Sequence, residues 1–164
     1  MKQFYLTFLM LLIGLSQLSA QEEELAAIKR AVDTLYSSLS FEEGGKADTA
    51  LFLSIFLEDG ILINNNRGTA RVISPKAFAE SIGQVEGLKS FNEHEIYGET
   101  LIFGTIAHRF STYDKYIEVG ERVISGKGIN SIQLVKVDGR WMVNSIIWND
   151  ESEERKIPEA YQGK

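Results

Sequence analysis

The 164-residue chain contains no cysteine, two prolines and two histidines. The missing cysteine excludes disulfides, a thiol nucleophile, Cys-ligated metals and a lipid-modified Cys. Stability therefore rests on packing. Two histidines among scattered carboxylates show no metal-ligand spacing, so no metal site is expected, and nothing implies a cofactor. Base is scarce as well. Lys and Arg number 17 against 23 Asp and Glu, a net charge of −6. An acidic chain without clustered base is a poor partner for nucleic acid or an anionic membrane.

The chain has one long apolar run, Phe4–Leu15, behind Lys2 and ahead of Ser19-Ala20. This is the layout of a secretory signal peptide, and the run is too short for a comfortable membrane span. The expected organisation is a leader over 1–20, one domain over 21–149 and a charged, docked tail over 150–164. Ile157-Pro158 and Tyr161 are the tail's candidate anchors. The protein is expected to be exported, periplasmic or secreted, with no membrane partner once the leader is removed.

Within the domain, Leu25, Ile28, Val32, Leu35, Tyr36 and Leu39 recur at three- and four-residue intervals and predict a first helix. Asp48 is placed to cap a short helix over Thr49–Phe56, and Ser74-Pro75 to start another that Gly87 ends. Glu58-Asp59-Gly60 reads as a turn before the strand Ile61–Ile63 and the loop Asn64–Asn66. After Gly87 the period becomes two. Lys89–Tyr97, Leu101–Tyr113, Val119–Leu134 and Arg140–Trp148 read as strands, the last two joined at Asp138-Gly139. Helices first and an antiparallel meander after them predict an α+β domain, with helices packed on the concave face of a curved, mainly antiparallel sheet.

The first helix, Phe56-Leu57-Glu58-Asp59-Gly60-Ile61-Leu62, and the run Gly128–Leu134 leading through Asp138-Gly139 to Trp141 resemble the nuclear transport factor 2-like superfamily. This cone-shaped, cystatin-like fold includes SnoaL-like cyclases and ketosteroid isomerase. The resemblance covers about Glu22 to Asn149. It implies a cone pocket for a small, partly apolar molecule and homodimers formed sheet to sheet. By analogy with the isomerase, Tyr36 falls near a pocket tyrosine and Asn130 on the oxyanion donor. Asn64 falls on the general base, a role an amide cannot fill.

Hairpin geometry around Asp138-Gly139 pairs Val137 with Arg140 and puts Asn130, Ile132 and Leu134 on one face with Trp141, Val143, Ser145 and Ile147. This face is assigned inward, with Asn130 and Ser145 as its polar members. His108 shares a face with Ile102, Ile106 and Phe110 and is assigned inward too, as the one group there with a natural pKa for proton transfer. The candidate site is therefore His108 as the catalytic residue, with Tyr36, Asn64, Asn130 and Ser145 binding the ligand. Two readings stay open: cyclase-, isomerase- or dehydratase-type chemistry, or a non-catalytic binding or interaction module. The outer sheet face is apolar enough to bury against a second copy unless the tail covers it.

Overall fold

The computed structural model describes residues 2–163, with side chains from Ser19 onward. The leader expected over Met1–Ala20 lies for the most part outside the described side chains. Helix α1 (Lys2–Leu39) presents Ile28, Val32, Leu35 and Tyr36 to the core, each no more than 5% exposed. Asp48 caps α2 (Thr49–Ile55) by accepting from the Leu51 N–H at 2.9 Å. Ser74 does the same for α3 (Pro75–Gly83), accepting from Ala77 N–H at 3.2 Å with Pro75 in the first turn. Each side chain satisfies a backbone donor that a helix start leaves free.

Six strands follow and interleave: β1 (Phe56–Asn64), β2 (Arg71–Ile73), β3 (Leu88–Phe103), β4 (Ile106–Val119), β5 (Arg122–Val137) and β6 (Arg140–Asp150). They form one curved sheet in the order β2-β1-β6-β5-β4-β3, antiparallel except where β1 runs parallel to β6. The helices cover its concave face, as the α+β reading anticipates. Phe52, Ile55, Leu62, Ile132, Leu134, Trp141, Val143 and Ile146 join the α1 stripe in one core. Among the described residues, no helix is long and apolar enough to cross a membrane.

Three local expectations are corrected. Glu58-Asp59-Gly60 lies within β1, where a register shift between Phe56 and Ile61 takes up the irregularity. Leu101–Tyr113 is two strands, turning at Gly104-Thr105, so Ile102 and Ile106 do not share a face: Ile102 pairs with Ala107 and points inward. Val119–Leu134 likewise spans a turn, at Gly120-Glu121. The tail after β6 folds back over the outer sheet face. Ile157 is buried, the Tyr161 ring sits 4.9 Å from that of Phe110, and Thr112 Oγ1 donates to the Tyr161 carbonyl at 2.6 Å.

Candidate functional site

Strand parity decides what faces the helices. On β4 the inward residues are Ala107, Arg109, Ser111 and Tyr113, all buried. Opposite them on β3, Glu93 pairs with Lys115 and Glu95 with Tyr113. Asn130 on β5 and Trp148 on β6 are directly paired and complete this wall. The concave end of the sheet therefore carries polar chemistry where an ordinary core would carry aliphatic side chains.

A directed hydrogen-bond relay links these groups. Asn130 Nδ2 donates to the Tyr36 hydroxyl at 3.0 Å, and that hydroxyl lies 2.8 Å from Ser111 Oγ. Ser111 in turn donates to Glu95 Oε2 at 2.7 Å, where Arg109 Nε also donates at 2.7 Å. Because the single Ser111 proton goes to a carboxylate, Tyr36 must donate to Ser111. A second cluster lies beside it. Asp150 accepts from Tyr113, from Lys115 at 2.6 Å and from Asn66 at 2.9 Å. Two strand glycines make room: a side chain at Gly98 would overlap the Arg109 guanidinium, and one at Gly128 the Tyr113 hydroxyl.

Between the relay and the helices lies a cavity of about 50 Å³, lined by Leu35, Phe52, Phe78, Trp148, Asn130 and Glu93, with Tyr36, Leu39, Leu62 and Ile146. Its walls are mostly apolar and aromatic. Glu93 is the exception that carries charge. Burial pushes its carboxyl up to about 7, against the lowering pull of Lys115 and of the Asn130 amide, while Asp150 raises it further. Burial raises the Tyr36 hydroxyl as well, helped by the charge of Glu93, so it stays protonated. Burial would lower the Arg109 guanidinium, but the neighbouring Glu95 outweighs it and raises Arg109 above its ordinary value. A carboxyl poised near neutrality in an apolar cavity is a proton donor and acceptor in working range.

Of the expected site residues, the structure brings Tyr36 and Asn130 together at the cavity. Asn64 is on the concave side but binds its own loop, accepting from the Asn66 N–H at 3.0 Å. His108 and Ser145 are not inward. His108 pairs with Leu101 and Gln133 on the outer face, where Nε2 lies 3.0 Å from Ser131 Oγ. Ser145 pairs with Gln133 and Ile61 on that same outer side. A bulge explains this. Leu134 pairs with Val143 but Gln133 with Ser145, so Asn144 is an extra residue and every later β6 side chain changes face. Ile146 and Trp148 consequently point in and Ile147 points out. Glu93 and Glu95 were missed, although the alternation Phe91-Asn92-Glu93-His94-Glu95 sets both acids opposite the exposed His94. Among the described residues, no group of three or more His, Asp and Glu side chains could hold a metal ion.

Sheet order, helix cover and cavity define a nuclear transport factor 2-like, cystatin-like cone fold. Solved structures share it. A provisionally assigned scytalone dehydratase from Novosphingobium aromaticivorans superposes with TM-score 0.66 at 16% identity, covering 88% of this chain and 95% of that one. A provisionally assigned dehydratase of the NTF2-like family from Streptomyces avermitilis gives 0.64 at 12% identity, covering 80% and 99%. A cystatin-like fold protein from Nostoc punctiforme gives 0.57 at 14%, covering 78% and 91%. At such identities the likeness is one of fold. No protein-family model and no curated protein matches the chain.

Proposed function

We propose that the cone cavity binds a small, partly apolar molecule and that Glu93 handles proton transfer in a reaction of dehydratase, isomerase or cyclase type. One observation carries this reading: a carboxyl raised to about 7 on an aromatic-lined cavity, beside the Asn130 amide. Ionised, Glu93 takes a proton from a ligand carbon or hydroxyl. Protonated, it returns one to a departing or developing oxygen. The Asn130 Nδ2 to Glu93 Oε1 hydrogen bond is long, at 3.4 Å, and so is readily exchanged for one to a ligand oxygen. The two dehydratase assignments among the similar structures support the reading at the level of fold. His108, on the outer face, takes no part in it.

The competing reading is a non-catalytic binding module, favoured by the small volume of the cavity and by polar groups already bonded to one another. The same proposal includes export of the chain after loss of residues 1–20. A start at Gln21 retains Glu24, which accepts from Trp141 Nε1 at 2.8 Å, and the core residues Ile28 and Val32. It also includes a homodimer through the outer face, where Leu101, Phe103 and Ile106 stand 66%, 84% and 57% exposed beyond the reach of the tail. A thermal-shift screen of small cyclic alcohols and ketones on the chain from Gln21, followed by product analysis of the hits, tests the function. Turnover abolished by Glu93→Gln and kept by His108→Ala is expected. Turnover lost only with His108→Ala would overturn the assignment, and binding without turnover would favour the module.

A further inference from the structure

The concave wall has an uneven charge balance. Three carboxyl groups, Glu93, Glu95 and Asp150, share it with two cations, Arg109 and Lys115. Arg109 is bound to Glu95 through two nitrogens, and both side chains are less than 10% exposed. Lys115 Nζ lies 2.6 Å from Asp150 Oδ1, and Tyr113 and Asn66 complete that carboxylate's shell. Glu93 is left over. Among the described residues, its carboxyl has one hydrogen-bond partner, the Asn130 amide at 3.4 Å, though it sits directly across the ladder from Lys115. The remaining charged or titratable groups around it are Tyr36 and Asp33 on α1 and His94 on its own strand, with Asp33 engaged by Lys29 at 2.7 Å.

The cavity that this odd carboxyl faces is walled by four aromatic rings, Tyr36, Phe52, Phe78 and Trp148. Phe78 stacks edge-on to Trp148 with ring centroids 6.1 Å apart, and Phe52 lies 5.8 Å from Phe78. Ring faces attract cations in a dry setting, and a buried carboxylate attracts them more strongly. An anion would meet Glu93 and Asp150 with both nearby cations already engaged. A neutral molecule would leave the imbalance as it is.

We infer that the ligand of this cavity carries a positive charge, an ammonium group on a small apolar or aromatic body, which completes the ion pairing of Glu93. The inference rests on the reading of the cavity as the ligand site and holds whether or not a reaction follows. It has a thermodynamic signature. Glu93 is largely protonated below about pH 7, so a cation that pairs with its carboxylate must displace a proton there. Affinity therefore rises as pH rises through that value, and binding below it releases a proton to the buffer.

Three probes with one ring and different heads test this: benzylamine, benzyl alcohol and benzoate. Each is titrated into the full chain, following the Trp148 indole and Asn130 side-chain resonances. Calorimetry is run in buffers of differing ionisation heat. Benzylamine is expected to bind at least about tenfold tighter than the alcohol near pH 8, and to release a proton near pH 6. The preference should vanish in Glu93→Gln, which is isosteric with the protonated acid. The wild-type pH dependence stands as an independent readout if that variant folds poorly. Equal binding of alcohol and amine without proton release, or tightest binding of benzoate, would overturn the charged-ligand inference and leave the cavity reading intact. Failure of all three to move the cavity resonances at millimolar concentration would overturn the cavity reading itself.

Discussion

Strand β4 shows two faces of opposite character, and they invert the usual rule. Its inward side carries Arg109, Ser111 and Tyr113, buried and bonded to other side chains. Its outward side carries Ile106, exposed, and His108 and Phe110, partly covered. Polar groups are tolerated inside because each finds a partner, and an unpaired one would cost several kcal/mol. Apolar groups stand outside because the tail covers one end of the face and leaves the other open. On the proposed reading the contrast separates two jobs, with the concave face as the ligand site and the convex face as the surface for association.

The strongest way to break the contrast is to leave a charge unpaired inside. Arg109→Met should cost about 3–5 kcal/mol, whereas Arg109→Met with Glu95→Leu should recover much of that loss in urea unfolding. Equal losses for the single and double variants would mean that the pair is not what stabilises this wall. Next comes Gly128→Ala, whose methyl would overlap the Tyr113 hydroxyl and approach the Asn149 carbonyl to 2.7 Å. A loss of about 1–3 kcal/mol is expected, with a changed near-ultraviolet tyrosine signal.

Glu93→Gln should act with the opposite sign. The folded pKa lies near 7, above the ordinary value of 4.5, so the stability Glu93 contributes is fully present below about pH 4.5 and is lost as pH rises through 7. The amide carries no such penalty. The variant should therefore be more stable by about 1–3 kcal/mol near pH 8 and equal to wild type near pH 4. A pH-independent difference would contradict the raised carboxyl. The smallest effect belongs to the convex face. Phe103→Ser should change monomer stability by about 0.5 kcal/mol or less, yet weaken self-association in sedimentation equilibrium. Unchanged association, or none in the wild type, would overturn the proposed homodimer through this face.

Much of the fold was legible because its signals are local. The Asp48 and Ser74 caps, the α1 stripe and the Asp138-Gly139 hairpin each depend on a few neighbouring residues. The site was half legible. Tyr36 is reached through the fold resemblance, and Asn130 through the hairpin parity as well as the resemblance. His108 and Ser145 were misplaced for two physical reasons. A bulged residue leaves no trace in a period-two pattern, so Asn144 turned Ser145 outward and Trp148 inward without warning. And an apolar face predicts burial only where the core is apolar, which fails where the buried face is a polar network. Glu93 was hidden by the ordinary expectation that acids on an alternating strand face water.

The glycine windows at 98 and 128 have a consequence for how such sequences can drift. Arg109 crosses the sheet over Gly98, and Tyr113 over Gly128, with no room for a side chain beneath either. Positions 98 and 109 therefore form one unit of variation, and 128 and 113 another. In homologues, a residue larger than glycine at 98 should appear together with a shorter side chain at 109. The carboxylate at 95 should then be exchanged in the same lineages, since its counter-charge would be gone.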